Sequence, residues 1–419
     1  MKKTTFIITV ILLSLFLIVG LVACEATPAE SEETPAQVES ETETVEPETA
    51  EPEPEPEGET AEPETAEPEP APAEDVHIRI GWTPPDVTGV FATVTQFMEY
   101  AIASAAAYGI TIEVVERPPT DHTGVAEQIA VIENFIVQGV DAIMVSPTDV
   151  DGITPALREV NDAGIPLIMV NMMSEIPGVE VTSFVGFDNR IAAEVTGWSM
   201  INALGGPGPL TQAAEGAMDV SMETHLNVQW WRDLYADFDK ESISGNVAII
   251  EGIHGDYFSN ARNAGFLDVI DQFPNIEVLT VLPGDWNRAR SVEQAENILH
   301  MFGPGEIDAI FAPSSEMGFG ARIAVESAGR EEVLVLTHGG TMESGDWIRD
   351  QRLLVDTWHG FPDWGWYSVK FAVMTALGQD VPHMHDIGSR TQWYGNADMF
   401  FPNVQLLPIP WQEILDNRN

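Results

Sequence analysis

The feature that most constrains the fold of this chain is a regular alternation between short apolar runs and longer amphipathic segments. Ala142–Val145 and Leu167–Val170 are short apolar runs, and Gly152–Ala163 between them has its apolar residues at helical spacing. Such runs are typical of buried strands, and the spacing of the longer segment is typical of a helix. The pattern repeats at least ten times after Val76. Repeated βα units predict parallel sheets with helices on both faces.

This alternation assigns the strands and helices of the domain. The predicted strands are His77–Trp82, Ile110–Val115, Ala142–Val145, Leu167–Val170, Thr182–Val185, Val247–Ile250, Val278–Leu282, Ala309–Ala312, Val333–Thr337 and Leu354–Trp358. The predicted helices are Phe91–Tyr108, Gly124–Gln138, Gly152–Ala163, Asn189–Leu204, Asn260–Phe273, Arg288–Met301, Ser315–Ala328, Met342–Arg349 and Asp363–Leu377. A closed barrel takes eight βα units and would leave strands over. The predicted fold class is therefore α/β, with two doubly wound parallel-sheet lobes and an interlobe cleft lined by strand-end loops.

One stretch, Gly205–Gly245, departs from this alternation. It contains the pair Trp230-Trp231 and is longer than a normal connection between elements. We expect an extra helix around Met222–Asp237, and the stretch indicates no function of its own.

The start of the chain has the pattern of a targeting segment. Two lysines precede an apolar run of 17 residues, Phe6–Val22, as in a secretory signal peptide. The run ends in Leu21-Val22-Ala23-Cys24, which resembles the bacterial lipobox, whose cysteine is acylated. We expect residues 1–23 to be a signal peptide and Cys24 to carry a lipid. An ordinary signal peptide or an uncleaved anchor remains an alternative. Cys24 is the only cysteine of the chain, so the fold contains no intramolecular disulfide.

Residues 24–75 have a composition that does not support a folded core. They hold 20 of the 67 acidic residues and none of the 18 Lys and Arg residues, in Glu-Pro and Thr-Ala repeats. Such a segment buries too little apolar surface to offset the entropy of ordering it. We expect a disordered tether, which at about 3.1 Å per residue reaches on the order of 160 Å.

The charge of the remaining domain excludes some kinds of partner. From Val76 onward 47 acidic residues face 16 basic ones, and Lys240 and Lys370 are the only lysines. This balance argues against nucleic acid, whose phosphates need a basic face. It also argues against docking on anionic lipid by charge. A solvated acidic shell is the simplest interpretation.

Four motifs in the domain carry a family resemblance. They are Val145–Asp149, Val185–Asn189, Asn260–Phe266 and Phe311–Gly318. Their order and spacing resemble the ribose-binding-protein branch of the type 1 periplasmic binding proteins. Repressors that share this fold carry an N-terminal DNA-binding helix pair, whereas here a tether occupies that place.

The resemblance implies a sugar cleft between two lobes joined by three crossovers. The implied N-lobe is 76–187 plus 360–390, and the implied C-lobe is 188–359 plus 391–419. It further implies a monomer that captures a monosaccharide or polyol and delivers it to an ABC permease. A sensor subunit that presents its ligand to a membrane receptor, and a binder of a non-sugar polar solute, remain alternatives.

The resemblance also places candidate ligand-binding residues in the second half of the chain. Arg262 falls where the family has an arginine that clamps adjacent hydroxyls, a task suited to a guanidinium fork. Trp286 falls where the family has a stacking Phe, and Asp285 and Asn287 beside it are weaker candidates. Ser314 takes the place of a family Asn, although it also has the position of a helix N-cap.

The segment Thr337-His338-Gly339-Gly340-Thr341 departs from the family pattern. Ribose binders typically have Gly-Phe-Asp-Gly-Thr there, with the Asp bonded to the sugar. Gly339 removes that carboxylate, and His338 supplies a polar group nearby. His359 stands in a segment that usually offers a Gln.

The first half of the chain supplies the remaining candidates. Asn171 ends the fourth strand, where relatives often carry Asp followed by Arg, and an amide still bonds hydroxyls as donor and acceptor. Asp86 and Phe91 are the substitutes for an Asn and paired aromatics in the first βα loop. Trp82 either lines the cleft or packs the strand.

Enzymatic functions find little support in the sequence. The chain has no Gly-x-Ser-x-Gly motif and no phosphate loop, and Gly318-Phe319-Gly320 lacks the third glycine of a dinucleotide site. His383–Asp386 is interpreted as a polar loop before a strand rather than a metal site. We therefore expect a binding protein without catalysis, cofactor or metal.

Overall fold

The computed structural model describes residues 76–210 and 226–418. The predicted signal peptide, Cys24 and the acidic tether lie outside these ranges, as does the first part of the helix predicted at Met222–Asp237. Within the described ranges, twelve strands form two sheets of six strands each. The predicted α/β fold with two parallel-sheet lobes is confirmed.

The first sheet is parallel throughout. It contains β1 (Val76–Thr83), β2 (Ile110–Glu116), β3 (Ala142–Val145), β4 (Leu167–Val170), β5 (Ser183–Gly186) and β11 (Met384–Asp386). Their order is β11-β5-β4-β3-β1-β2. The helices α1 (Gly89–Ala106), α2 (Val125–Gln138), α3 (Val150–Asp162) and α10 (Phe361–Ala376) accompany it. Together they form the first lobe.

The second sheet has the same layout except at one edge. It contains β6 (Ser244–Glu251), β7 (Asn275–Pro283), β8 (Ala309–Ala312), β9 (Leu334–Gly339), β10 (Val355–Trp358) and β12 (Arg390–Trp393), in the order β12-β10-β9-β8-β6-β7. The edge strand β12 runs antiparallel to β10. The second lobe also contains α4 (Asn189–Ala203), α5 (Val228–Leu234), α6 (Tyr257–Ile270), α7 (Arg288–Met301), α8 (Ser315–Ser327) and α9 (Met342–Arg349). Of the helix predicted at Met222–Asp237, the described part is α5.

Each sheet is covered by apolar side chains on both faces. Strands such as β3, β4 and β8 are buried along their whole length, which explains why they have continuous apolar sequences. In the second lobe, α4 and α6 approach each other closely at Gly265. A Cβ built there would lie 1.9 Å from the carbonyl oxygen of Arg190, so glycine permits the contact that fixes α6 in place. None of the helices in the described ranges is long and apolar enough to cross a membrane.

The edge strand β11 differs from the polar loop predicted at His383–Asp386. The backbone N–H of Phe184 donates to the carbonyl oxygen of His383 at 2.8 Å, and that of Ile387 donates to Gly186 at 2.9 Å. A three-residue edge strand needs few apolar residues, so it leaves no apolar run in the sequence. Among the described residues, no group of three or more His, Cys, Asp or Glu side chains is placed to hold a metal ion.

The end of the chain also differs from the predicted division into lobes. Residues 391–419 were assigned to the second lobe, but Ile409, Trp411 and Ile414 are buried in the core of the first lobe. The helix α11 (Trp411–Asp416) is tied there because Trp411 Nε1 donates to Ser104 Oγ at 2.8 Å. The chain therefore returns to the first lobe after β12, since the apolar side chains of this short helix are buried in the core of that lobe.

Candidate ligand-binding site

The ends of the strands enclose a cavity of about 80 Å³ between the lobes. From the first lobe it is lined by Pro85, Asp86, Thr88, Val90, Phe91, His122, Pro147, Thr148, Asn171, Phe361 and Trp364. From the second lobe and the connection after β10 it is lined by Phe258, Arg262, Trp286, Ser314, Glu316, His338, Gly339 and His359. A single water needs about 10–15 Å³ by the same measure. The cavity therefore has room for one small solute.

Direct contacts between the lobes close this cavity. The hydroxyls of Ser174 and Tyr257, one from each lobe, lie 2.5 Å apart. Phe258 at the start of α6 packs into an apolar cluster of the first lobe. At Gly89 a Cβ would lie 2.9 Å from Oε1 of Glu316 in the opposite lobe. The structure is thus a closed form, and a solute inside it contacts both lobes.

Arg262 is the central charged group of the cavity. Its Nε donates to Oδ1 of Asn189 at 2.8 Å, and its Nη1 donates to the carbonyl oxygen of Pro313 at 2.6 Å. The guanidinium carbon lies 5.2 Å from the ring centre of Trp286, within the range of a cation–π interaction. Burial lowers the pKa of Arg262 to about 10, so the side chain remains charged at neutral pH.

Trp286 is held as one wall of the cavity. Its Nε1 donates to Oδ2 of Asp256 at 2.8 Å. The backbones of Asp285 and Trp286 are both left-handed, with φ of 54° and 58°. The indole lies against Gly252, where a Cβ would be 2.1 Å from Cζ2. Glycine at this position therefore allows the ring to occupy its place.

The two weaker candidates beside Trp286 have other partners. Asp285 forms an ion pair with Arg290 at 3.7 Å. Asn287 caps α7, because its Oδ1 accepts from the backbone N–H of Arg290 at 2.9 Å. Neither residue lines the cavity.

Asn171 enters the cavity from the end of β4 with a left-handed backbone, φ 74°. Its carbonyl oxygen accepts from Nδ2 of Asn189 at 3.1 Å. Its own side-chain Oδ1 is buried, and no group in the described ranges donates to it. Asn189 therefore joins Asn171 to Arg262 through its amide and positions both. Asn189 belongs to the Val185–Asn189 motif, but that motif alone assigns it no role.

Two buried histidines form the floor of the cavity. His338 stacks on Phe311 with ring centres 5.2 Å apart, and His359 stacks on Phe187 at 3.9 Å. Both nitrogens of His338 and Nε2 of His359 are buried without a hydrogen-bond partner in the part of the chain that the structure describes. Burial lowers the pKa of both rings well below the usual value, and the charge of Arg262 adds to this effect. Both imidazoles are therefore neutral.

The turn that follows His338 at the end of β9 is held in place by Asp356. Its Oδ2 accepts from the backbone N–H of Gly340 at 2.8 Å and from the hydroxyl of Ser315 at 2.9 Å. Burial raises the pKa of Asp356 to about 6. This carboxyl does not line the cavity, so it positions the turn rather than a ligand.

The candidates of the first βα loop have different surroundings. Phe91 lines the cavity and also packs in the first-lobe core. Asp86 lines it too, and its Oδ2 lies 2.5 Å from Nε2 of His122. Trp82 does not line the cavity. It is fully buried in the core, and its Nε1 donates to Thr95 Oγ1 at 3.3 Å, because its position in the strand directs it to the helix-covered face of the sheet.

Ser314 is the N-cap of α8, one of the two roles that the sequence allowed for it. Its Oγ accepts from the backbone N–H of Met317 at 3.2 Å at the start of α8. The residue also lines the cavity, so its hydroxyl proton remains available to a ligand in the same place.

Several lining residues were not identified from the sequence. They include His122, Phe258, Glu316, Phe361 and Trp364. Glu316 accepts two hydrogen bonds from Arg288, at 2.8 and 2.9 Å. His122 and Glu316 follow the ends of β2 and β8, so strand-end position was an available signal. Phe258, Phe361 and Trp364 belong to helix starts with ordinary core sequences, which carry no such signal.

The two lobes with an enclosed cavity at the carboxyl ends of their strands define a two-lobed solute-binding protein. The family model described as periplasmic binding protein domain matches residues 80–380. The chain belongs to this family.

Two relatives are similar in sequence to about half of this chain. The ribose import binding protein RbsB of Bacillus subtilis is 27% identical over 228 residues, which cover 54% of this chain and 60% of that protein. The xylitol-binding protein of Mycolicibacterium smegmatis is 28% identical over 230 residues, or 54% of each chain. The matched part is thus less than two thirds of either relative.

Solved structures resemble the fold over a longer range. An ABC transporter solute binding protein from Bacillus halodurans with bound myo-inositol has a TM-score of 0.61 and 25% identity, and the match covers 78% of this chain and 98% of that one. A periplasmic solute binding protein from Actinobacillus succinogenes with bound D-allose has a TM-score of 0.63 and 20% identity, covering 77% and 100%. The second similarity concerns the fold alone.

Proposed function

We propose that this protein is an extracytoplasmic solute-binding lipoprotein that captures a monosaccharide or polyol and delivers it to an ABC importer. The observation that carries the proposal is the enclosed interlobe cavity, in which aromatic rings alternate with polar atoms that lack partners within the described ranges. The names of the relatives, which include ribose and xylitol binding proteins, support the ligand class.

The cavity has the chemistry that a hydroxylated solute requires. A sugar presents hydroxyls at its edge and C–H groups on its faces. Asn171 Oδ1 accepts a hydrogen bond, and the ring nitrogens of His338 and His359 donate or accept according to tautomer. Trp286 and Phe91 supply apolar faces for the C–H groups. These are the groups that we assign to ligand binding, together with Arg262, Ser314 and Asp86.

The same arrangement accounts for delivery. A solute held by side chains of both lobes stabilises the closed form in proportion to its difference in affinity for the closed and open forms. An importer that recognises the closed form would thus receive loaded protein. A membrane sensor would use the same conformational difference, and a non-sugar polar solute would use the same cavity. The thermal-shift screen below distinguishes a non-sugar solute from a sugar or polyol.

The ligand class is tested by thermal shift. The full chain is screened against neutral sugars, polyols, sugar acids, amino acids and nucleosides. A solute at one hundred times its Kd is expected to add about 2.7 kcal/mol to the free energy of unfolding and so to raise the Tm measurably. A shift produced by an amino acid or a nucleoside, with no response to any sugar, polyol or sugar acid, would refute the ligand class.

Location at the membrane is proposed to depend on Cys24. We expect Cys24→Ala to move the full chain from the membrane fraction to the soluble fraction, because acyl chains supply the membrane affinity. Ser31→Ala in the tether is the matched control and should remain in the membrane fraction. Incorporation of labelled fatty acid into the Ser31→Ala variant but not the Cys24→Ala variant is the direct measurement. Equal membrane retention of both variants would contradict the lipid anchor.

A further inference from the structure

Each carboxylate that lines the cavity is held by partners other than Arg262. Asp86 lies 2.5 Å from Nε2 of His122. Glu316 accepts from Nε and Nη2 of Arg288 at 2.8 and 2.9 Å. Neither acid therefore forms an ion pair with Arg262.

Arg262 has only uncharged hydrogen-bond partners. Its two hydrogen bonds go to the amide of Asn189 and the carbonyl of Pro313, and no carboxylate in the described ranges lies within ion-pair distance of it. Asp256 attracts it at longer range. The oxygens of Asp256 are used by Ser259 N–H and Trp286 Nε1–H. The cavity thus contains a buried guanidinium without a paired counter-charge.

Most polar atoms of the cavity without a hydrogen-bond partner among the described residues are donors, or ring nitrogens that donate or accept according to tautomer. Nη2 of Arg262 makes no hydrogen bond to any described residue and has protons to donate. Each neutral imidazole, His338 and His359, carries one N–H. Asn171 Oδ1 is the one fixed acceptor among the unpartnered buried atoms that line the cavity. A guest with hydroxyls alone would leave the guanidinium without an ion-pair partner.

We propose that the ligand is a sugar acid or a similar hydroxylated carboxylate, with its carboxylate at Arg262 Nη2 and an imidazole N–H. The inference rests on the proposed function, since it specifies the ligand of the same cavity. A carboxylate matches one guanidinium in charge and in planar geometry. A buried charge is costly without a counter-charge, and a ligand that brings one gains affinity that its neutral parent lacks.

The proposal is tested by calorimetry on the full chain with matched pairs of probes. The pairs are D-galacturonate with D-galactose, D-gluconate with D-glucitol, and D-ribonate with D-ribose. We expect the acid to bind at least tenfold more tightly than its parent in each pair that binds. Equal or tighter binding of the neutral members would overturn the carboxylate inference and leave the proposed function standing. Absence of binding by all six probes would overturn the carboxylate inference, while the proposed function is decided separately by the thermal-shift screen.

Two substitutions assign the preference to the guanidinium. Arg262→Gln keeps a polar side chain without charge and should reduce the acid-to-neutral affinity ratio to within about threefold of one. Arg190→Gln is the matched control, because Arg190 is an exposed arginine of the same lobe paired with Asp268, and it should keep the full ratio. Melting temperatures show that both variants are folded. If Arg262→Gln does not fold, Arg262→Lys, which keeps the charge, must retain a ratio above one, and a ratio of one in that variant would overturn the proposal.

Discussion

Replacement of Arg262 by methionine is expected to weaken solute binding by about 2–5 kcal/mol, which is roughly a 30-fold to several thousand-fold increase in Kd. This applies to any solute that raises the Tm of the wild type. Arg262 contacts Asn189 and Pro313 through hydrogen bonds and Trp286 through its charge. Methionine keeps much of the apolar volume but supplies no donor, so both the direct contact with the ligand and the placement of Asn189 are lost.

Calorimetry on folded protein is the measurement for this prediction. Arg190→Met is the control, because that arginine is exposed and ion-paired with Asp268. Its Kd should remain within about twofold of the wild type, since surface ion pairs contribute little. An unchanged Kd in Arg262→Met would contradict the placement of the ligand beside this guanidinium.

The second prediction concerns Gly339, where ribose binders typically have a ligand-binding Asp. Gly339→Asp is expected to lower the free energy of unfolding by about 3 kcal/mol or more and to restore no sugar affinity. The backbone there has φ 152°, a conformation that favours glycine, and a Cβ would lie 1.8 Å from Ser315 Oγ. The hydroxyl of Ser315 is itself bonded to Asp356, so it has little freedom to move away.

Denaturant unfolding distinguishes the two causes of this instability. Gly329→Asp is the control, because Gly329 has φ 63° and a Cβ there would have no neighbour within 4 Å. It should cost no more than the backbone conformation requires, about 1–2 kcal/mol. If Gly339→Asp proved as stable as the wild type and bound sugars more tightly, the local backbone would have to differ from the one described.

The architecture could be predicted because each βα unit has a recognisable local pattern of apolar residues in the sequence. Strands buried on both faces require continuous apolar runs, as in Ala142–Val145, and the bounds predicted there agree with the structure. Elements that are stabilised by contacts with residues far away in the sequence have no such local pattern. The strand at Met384–Asp386 pairs with Ser183–Gly186, and Trp411 reaches Ser104 across the first lobe.

The site was predicted as far as strand ends and the family motifs define it. Asn171, Arg262, Trp286, His338 and His359 come together around one cavity, although their binding of a ligand stays a prediction. For Trp82 the sequence left two alternatives open, and the structure places this side chain in the core of the first lobe. Successive strand residues point to opposite faces, and both faces of a buried parallel strand are apolar, so the sequence gives no sign of which tryptophan reaches the cleft.

The amino-acid sequence by itself determined the α/β class and the division into two sheets, because these follow from local periodicity, and the family resemblance supplied most of the candidate site residues. Only the tertiary structure decided which charges remain without a partner. Glu316 is ion-paired with Arg288 at the start of α7, while Arg262 has only uncharged hydrogen-bond partners. Ion pairing depends on distances of a few ångströms between residues far apart in the chain, and that information exists only once the chain has folded.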